Sequence, residues 1–199
     1  SDFYKLAEVI EINGGVRSGI TEMEFTGGKD KSYKKTVFET GVKYSYSKSG
    51  MVYGRYGMGY RVPATDEYYD SYSGSFMESL KPQESSDFEI GIKDYFEYIG
   101  KIESSLFYSK LKDEIYYDND EYINKNRSGK TKRKGLEIKR EQTIWDIESY
   151  QSVSYIKTEL EETGKEIPGV PKLKGAAGFN WEITENSKIN IEAVYTGKK

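Results

Sequence analysis

The sequence contains neither cysteine nor histidine among its 199 residues. Their absence excludes disulfides, thiolate nucleophiles, imidazole bases and most zinc or haem ligation. No pair of carboxylates stands out as a catalytic constellation either. We therefore predict that the chain is not an enzyme, and that it has no catalytic residue, no cofactor and no metal site.

The sequence also has no large excess of charge of one sign, because it contains 30 basic and 33 acidic residues and its net charge is −3. This balance argues against a nucleic-acid partner, which would require a basic footprint. The basic run 130–134 is predicted to be a solvated loop. The acidic runs 113–114 and 118–121 offer oxygen ligands for a hard cation, but the second lacks the glycine turn and ligand spacing of a calcium loop, so solvated loops are favoured there too.

Long apolar runs are absent, and no segment approaches the roughly 20 apolar residues of a membrane-spanning helix. This excludes helical insertion only. A membrane β-strand needs about 9 to 11 residues with a single apolar face, and such proteins are hydrophilic on average.

The abundant residues favour strands, because the chain has 19 tyrosines and 20 glycines but only 4 prolines. Apolar and polar residues alternate with period two, as in residues 173–183, where Phe179, Trp181 and Ile183 share one face. Helical spacing is not sustained anywhere. The best helical candidate, residues 158–163, is too short to be stable alone. We predict about nine antiparallel strands.

The predicted connections alternate in length along the chain. Short hairpins are expected at residues 47–50, 94–100, near Arg140 and at 184–187. Long links are expected at residues 61–85, 114–131 and 159–171. In an antiparallel sheet this order places every short turn at one rim and every long loop at the other, as in transmembrane barrels.

Five segments then resemble motifs of one family, the TonB-dependent outer-membrane receptors. Residues 53–69, "YGRYGMGYRVPATDEYY", follow that family's strand-end signature closely. The segments that continue the resemblance in the same order are "LKPQESSDFEIGIK" (80–93), "SLFYSKLKDEIYY" (105–117), "NRSGKTKRKGLEIK" (126–139) and "IPGVPKLKGAAGFNW" (167–181). The resemblance covers most of the chain.

The resemblance implies an all-β fold, in which residues 1–199 form part of a 22-stranded transmembrane β-barrel domain. Nothing in the sequence resembles the family's plug domain or its closing strands, so we expect an internal piece of the barrel or a truncated product. The implied function is TonB-energised uptake of a scarce nutrient, such as an iron–siderophore complex or a corrinoid. The implied location is the outer membrane of a Gram-negative bacterium. Its partners would be outer-membrane lipid, the large solute, and the TonB complex acting through the missing plug region.

Candidate site residues follow from the same placement. Bulky and often anionic chelates suit aromatic faces and a fixed cation, so the long loops supply the ligand-binding candidates Tyr68, Tyr69, Tyr72, Tyr116, Tyr117, Tyr122 and Arg127. The alternative for these tyrosines is a place in the interfacial girdle or in self-packed loops. Four aromatic residues lie near strand ends, on the same face as the apolar residues of their strands. They are predicted to lie at the membrane interface: Tyr44, Tyr46, Trp181 and Tyr195. Arg61 and Pro63 are expected to end a strand at the rim rather than to bind ligand.

Two other classes remain open. A passive porin or an adhesion barrel would share the alternation and the uneven loops. A soluble β-rich binding module would instead pack the apolar face on a second sheet and fold without detergent.

Overall fold

Ten antiparallel strands form one continuous sheet in the computed structural model, which describes residues 2–7, 9–26, 28–70 and 72–198. The strands are β1 (Asp2–Ala7), β2 (Ile10–Met23), β3 (Lys31–Ser45), β4 (Met51–Arg61), β5 (Gln83–Phe96), β6 (Gly100–Lys112), β7 (Ile115–Asp118), β8 (Ile123–Asn126), β9 (Lys130–Ile144), β10 (Ile147–Leu160), β11 (Leu173–Thr184) and β12 (Ser187–Thr196). The large sheet has the order β1-β2-β3-β4-β5-β6-β9-β10-β11-β12, and β7 and β8 form a separate hairpin. The all-β antiparallel prediction is confirmed, with β1 added to the nine expected strands of the sheet.

One face of the sheet is apolar across eight of its ten strands. Directly paired residues share a face, and the pairing joins one residue from each of eight strands into a single row: Ile12, Val42, Gly54, Ile90, Leu106, Leu136, Tyr155 and Leu173. Val42, Ile90 and Leu106 are about half exposed. Among the described residues no second layer covers this face, which is called the outer face below. A soluble sandwich would have covered it.

The opposite, inner face is lined with charges that are paired across strands. Lys43 Nζ lies 2.8 Å from Glu11 Oε2, and Arg55 Nη2 lies 2.6 Å from Glu89 Oε2. Glu89 also accepts a 2.6 Å hydrogen bond from the hydroxyl of Tyr53. Alternation thus places hydrocarbon on one side of the sheet and an ionic surface on the other.

The two rims differ in the way that the sequence predicts. Short turns join β3 to β4, β5 to β6, β9 to β10 and β11 to β12, whereas residues 62–82, 113–129 and 161–172 connect strands at the other rim. One local prediction is wrong. Arg140 lies inside β9, and the turn comes at residues 145–146, where Trp145 has φ 53°. Residues 158–160, the best helical candidate of the sequence, end β10 as strand, because the ladder with β9 continues to Leu160.

The buried core is small and sits at the long-loop rim. Phe25, Tyr68 and Leu80 form its centre, with Phe76 and Tyr69 among the partly buried residues against it. Within the described ranges the helical content is a single 3₁₀ turn, Thr65–Tyr68, and no helix there is long and apolar enough to cross a bilayer. Strands β1 and β12 lie at the two edges and are not paired with each other.

Candidate functional site at the long-loop rim

Residues 62–82 leave β4 through the Arg-Val-Pro sequence and fold back at once. Arg61 Nη1 lies 2.7 Å from Glu67 Oε2, and the same oxygen accepts a 2.8 Å hydrogen bond from the backbone N–H of Ala64. Pro63 is fully buried, and it has no N–H that would require a partner. Arg61 and Pro63 therefore fix the start of the loop, as the strand-end interpretation predicts.

The aromatic cluster beneath this loop is centred on Tyr68. Its ring centroid lies 5.1 Å from that of Phe25 and 5.7 Å from that of Phe76. Its hydroxyl and that of Tyr33 on β3 share a 2.7 Å hydrogen bond. Burial raises the pKa of Tyr68 well above its usual range, and the hydrogen bond with Tyr33 adds to the shift. Tyr68 is 0% exposed, so it offers no surface to a solute and we leave it out of the proposed binding site.

A second group lies where the base of the β7–β8 hairpin meets β9, and it is here called the arginine cluster: Glu114, Tyr116, Arg127 and Arg133. The Arg127 guanidinium lies over the Tyr116 ring, 4.3 Å from its centroid. Arg127 Nε lies 3.6 Å from Glu114 Oε2, and Arg133 pairs with Glu114 Oε1. The cluster has one carboxylate for two guanidiniums, so it holds one excess positive charge.

The arginine cluster is only partly accessible and incompletely paired. The side chains of Glu114, Arg127 and Arg133 are 12%, 20% and 32% exposed. The Nε atoms of both arginines, and Oε2 of Glu114 that faces Arg127 Nε, are buried without a hydrogen-bond partner in the described part of the chain. A buried hydrogen-bond donor without an acceptor costs free energy unless a further group accepts from it. The site is thus suited to an anionic or oxygen-rich ligand.

Asn126 ties the hairpin to the loop of residues 62–82. Its side-chain oxygen accepts a 2.7 Å hydrogen bond from the N–H of Lys81, and its Nδ2 donates to the carbonyls of Lys81, at 2.9 Å, and Asp113, at 2.7 Å. The backbone N–H of Ile115 donates to Gln83 Oε1 at 3.2 Å. The two longest connections therefore form one joined surface.

The remaining loop candidates differ in exposure. Tyr69 is half-buried with its ring centroid 5.6 Å from that of Phe76. Tyr72, Tyr117 and Tyr122 are 95%, 43% and 59% exposed. The structure brings Tyr116 and Arg127 into direct contact, and it leaves the three exposed tyrosines as separate projections of the loop surface.

Three residues of this site were not singled out as binding candidates from the sequence. Arg133 lies in the basic run that was predicted to be a solvated loop; that prediction is wrong, because the run is the start of β9. The sequence did contain a sign of the strand, because Thr131 and Arg133 alternate with lysines within the run, which is period two. Glu114 was considered only as a cation ligand, and Asn126 only as part of a motif. The described residues contain no group of three acidic side chains that could hold a metal ion.

The four predicted interface aromatics lie on or next to the outer face. Tyr44 and Trp181 belong to the strand ends near the short turns, and Tyr195 lies at the loop end of β12. Tyr46 is the first residue of a short turn, and its hydroxyl donates a 2.7 Å hydrogen bond to Asp94 Oδ2. They are 40–58% exposed, and their role at a bilayer interface remains a prediction.

Comparison with known proteins agrees with this architecture. The ferric-catecholate import receptor Fiu from E. coli K12 superposes with a TM-score of 0.71 at 19% identity, covering 98% of this chain and 33% of Fiu. The siderophore receptor PirA from Pseudomonas aeruginosa gives a TM-score of 0.73 at 14% identity, with coverage of 98% and 36%. The copper transporter OprC gives 0.71 at 14% identity, with coverage of 92% and 32%. The chain thus spans about a third of the length of these structures.

Residues 4–198 match the family described as TonB dependent receptor-like, beta-barrel. The chain therefore belongs to the TonB-dependent receptor β-barrel family.

Proposed function

We propose that this chain forms part of the barrel wall and of the external mouth of an outer-membrane receptor for TonB-energised uptake of a bulky, anionic chelate, such as an iron–siderophore complex. The observation that carries the proposal is the sheet itself. One face is apolar across eight strands, the other is ionic, and the long connections lie at one rim. This is the arrangement that a wall between lipid and an aqueous interior requires. In this proposal, residues 1–199 are one segment of a larger receptor barrel.

The mouth would contact the solute through the arginine cluster and the exposed tyrosines of the loops. The excess charge of Arg127 and Arg133 over Glu114 favours an anion. Tyr72, Tyr117 and Tyr122 add exposed aromatic rings that suit the flat, conjugated groups of many chelates. A neutral corrinoid would make less use of the guanidiniums.

Transport of an intact solute requires binding and movement but no bond cleavage. We therefore propose that the protein has no enzymatic activity. Force from the TonB complex would act through the plug region of the receptor, and not through this sheet.

The test is uptake of iron-55 chelates by cells that produce the full-length protein, compared with cells that also lack TonB. The Arg127→Gln substitution should weaken chelate binding about tenfold to a hundredfold, because a hydrogen bond to a charged group contributes about 1.5–3 kcal/mol. Arg140→Gln is the matched control, since Arg140 lies on β9 near the opposite rim and bonds to Gln151 at 2.8 Å.

Equal loss in both variants would contradict a binding role for the arginine cluster. Uptake that continues at the same rate without TonB would instead identify a passive barrel. Folding of the protein in plain buffer, without detergent or lipid, would refute the membrane proposal as a whole.

A further inference from the structure

Six lysines cluster on the outer face at its long-loop end, on the three neighbouring strands β6, β9 and β10. They are here called the lysine patch: Lys110, Lys112, Lys130, Lys132, Lys134 and Lys157. Their orientation follows from their neighbours. Leu111 and Thr131, which alternate with them, are 5% and 1% exposed and point to the inner side. The lysines therefore point away from the interior, on the same face as Leu106 and Leu136.

The strand register sets these lysines directly opposite one another. Lys110 pairs with Lys132, Lys112 with Lys130, and Lys134 with Lys157. Like charges directly opposite on one face are destabilising, with side-chain β-carbons only about 4.5–5.5 Å apart. Three such pairs in adjacent positions need a compensating anion.

The protein supplies only part of that compensation. Glu161 Oε1 lies 3.1 Å from Lys110 Nζ and 3.2 Å from Lys132 Nζ. Lys112 Nζ lies 4.0 Å from Asp113 Oδ2.

Two lysines of the patch remain without such compensation. Among the described residues, no carboxylate lies within 4.0 Å of Lys134 or Lys157. Both of these side chains are exposed.

The position of the lysine patch along the barrel axis follows from its distance to the apolar row that contains Leu136. Lys134 and Lys132 precede Leu136 by two and four residues along β9, towards the long-loop rim. At a rise of about 3.3 Å per residue and a tilt of about 40°, their Cα atoms lie about 5 and 10 Å beyond that row along the barrel axis. Tyr108 and Tyr155, which pair with Lys134 and Leu136, mark the boundary. Tyrosine favours this interfacial level, and headgroup phosphates begin just above it.

We propose that the lysine patch binds the phosphate groups of lipid in the membrane leaflet on the long-loop side, with Lys134 and Lys157 as the principal contacts. The inference rests on the membrane placement proposed above. It adds a lipid site on the outside of the wall, separate from the solute site at the mouth. The patch has six ammonium groups against four carboxylates, those of Asp113, Glu159, Glu161 and Glu84, the last of which pairs with Lys112 across β5 and β6. The excess of positive charge complements a multiply charged headgroup.

The short-turn end of the same face has no equivalent in the described residues. The cation of β9 that faces outward there is Arg140, which bonds instead to the side chain of Gln151 and to the carbonyl of Ile99, at 2.7 Å. The charge is therefore concentrated at one membrane surface, as recognition of a lipid confined to one leaflet requires.

The test measures lipid retention by the full-length protein in a neutral detergent, using native mass spectrometry. The probes are diphosphorylated lipid A, the same lipid after enzymatic removal of its phosphates, and inorganic phosphate as a competitor. The double variant Lys134→Gln/Lys157→Gln should retain the diphosphorylated lipid about thirtyfold less well than wild type. Each lysine near an anionic surface contributes about fivefold in binding. Because neither lysine has a carboxylate partner to leave unpaired, thermal stability of the variant should not fall.

The matched control is Lys139→Gln/Lys174→Gln. It removes the same charge from the inner face, where Lys139 pairs with Ser152 and Lys174 with Ser154. This control should retain lipid as the wild type does.

The lipid site is refuted by equal retention in the two double variants, by equal retention of the dephosphorylated lipid, or by complete displacement with millimolar inorganic phosphate. If those results come from protein that still fractionates with membranes, only the lipid site fails. Protein that is soluble without detergent overturns the proposed function as well.

Discussion

Removal of the Tyr68 side chain should release residues 62–82 while leaving the sheet intact. Tyr68 is fully buried between Phe25 and Phe76, and truncation of a buried aromatic residue to alanine costs about 3–5 kcal/mol. The loss is local, because the loop lies outside the ten-stranded ladder. Amide exchange within residues 62–82 should therefore accelerate by about a hundredfold or more in Tyr68→Ala, up to the rate of the unprotected loop.

Tyr68→Phe separates packing from hydrogen bonding. It removes only the hydroxyl that lies 2.7 Å from Tyr33, a bond worth about 0.5–1.5 kcal/mol. Tyr33 keeps a 3.4 Å contact with the carbonyl of Leu80, so acceleration should be about tenfold at most. Hydrogen exchange of the full-length protein in detergent measures both effects.

Tyr72→Ala is the control for these substitutions. It removes the same ring from the same loop, but Tyr72 is 95% exposed, so exchange should stay at the wild-type rate. The reasoning is refuted if Tyr68→Ala leaves exchange unchanged, or if Tyr72→Ala accelerates it equally.

Two further predictions concern the wall and the hairpin. Gly135→Ala should lower the stability of the folded barrel to urea in detergent by about 1–3 kcal/mol, because a methyl group there would lie 2.6 Å from the Phe107 ring and closer still to a backbone oxygen. Gly175→Ala, whose methyl would meet ordinary contacts beginning at 3.5 Å, should have little effect, and equal effects would contradict the packing argument. At the hairpin, the hydrogen bond from Lys125, 2.9 Å long, lowers the pKa of Asp118. This stabilisation is complete above the unfolded pKa of about 3.9 and is lost as the pH falls through the depressed value, so exchange of β7 and β8 should rise only in strong acid. Loss of protection already near pH 6 would show that another group controls the hairpin.

The two-faced wall could be predicted from sequence because period two is a local property. A strand such as β5 places Phe88, Ile90 and Ile92 on one face whatever the rest of the chain does. The strand ends were less predictable. Arg140 resembled a turn residue, yet the register of β9 with β10 continues from Thr131 to Ile144. Pairing between strands, which is not local, determined where that hairpin turned.

The arginine cluster could be predicted only in part, for a related reason. Tyr116 and Arg127 were chosen as side chains that suit a chelate, and the hairpin register brings them into contact. Glu114 and Arg133 meet because β6 and β9 are neighbours in the sheet although the hairpin separates them in sequence. Asn126 contacts Lys81 across 45 residues. Contacts of this kind depend on the completed sheet and have no signature in composition or spacing.

Under the proposed function, the anchoring of the loops would let the mouth vary its solute while keeping its shape. The groups that position residues 62–82 are inward or buried, namely Arg61 with Glu67, Pro63 beneath them, and Tyr68 in the aromatic cluster. The exposed tip around Tyr72 makes no comparable contact with the wall in the described residues: its backbone N–H donates to Asp70 within the same turn. Substitutions at the tip therefore change the surface offered to a solute without loosening the loop, whereas substitutions at the anchors alter the loop's geometry. On this argument, solute specificity should be exchangeable between related receptors by transferring loop tips alone, with the Arg-Val-Pro start and the buried tyrosine kept.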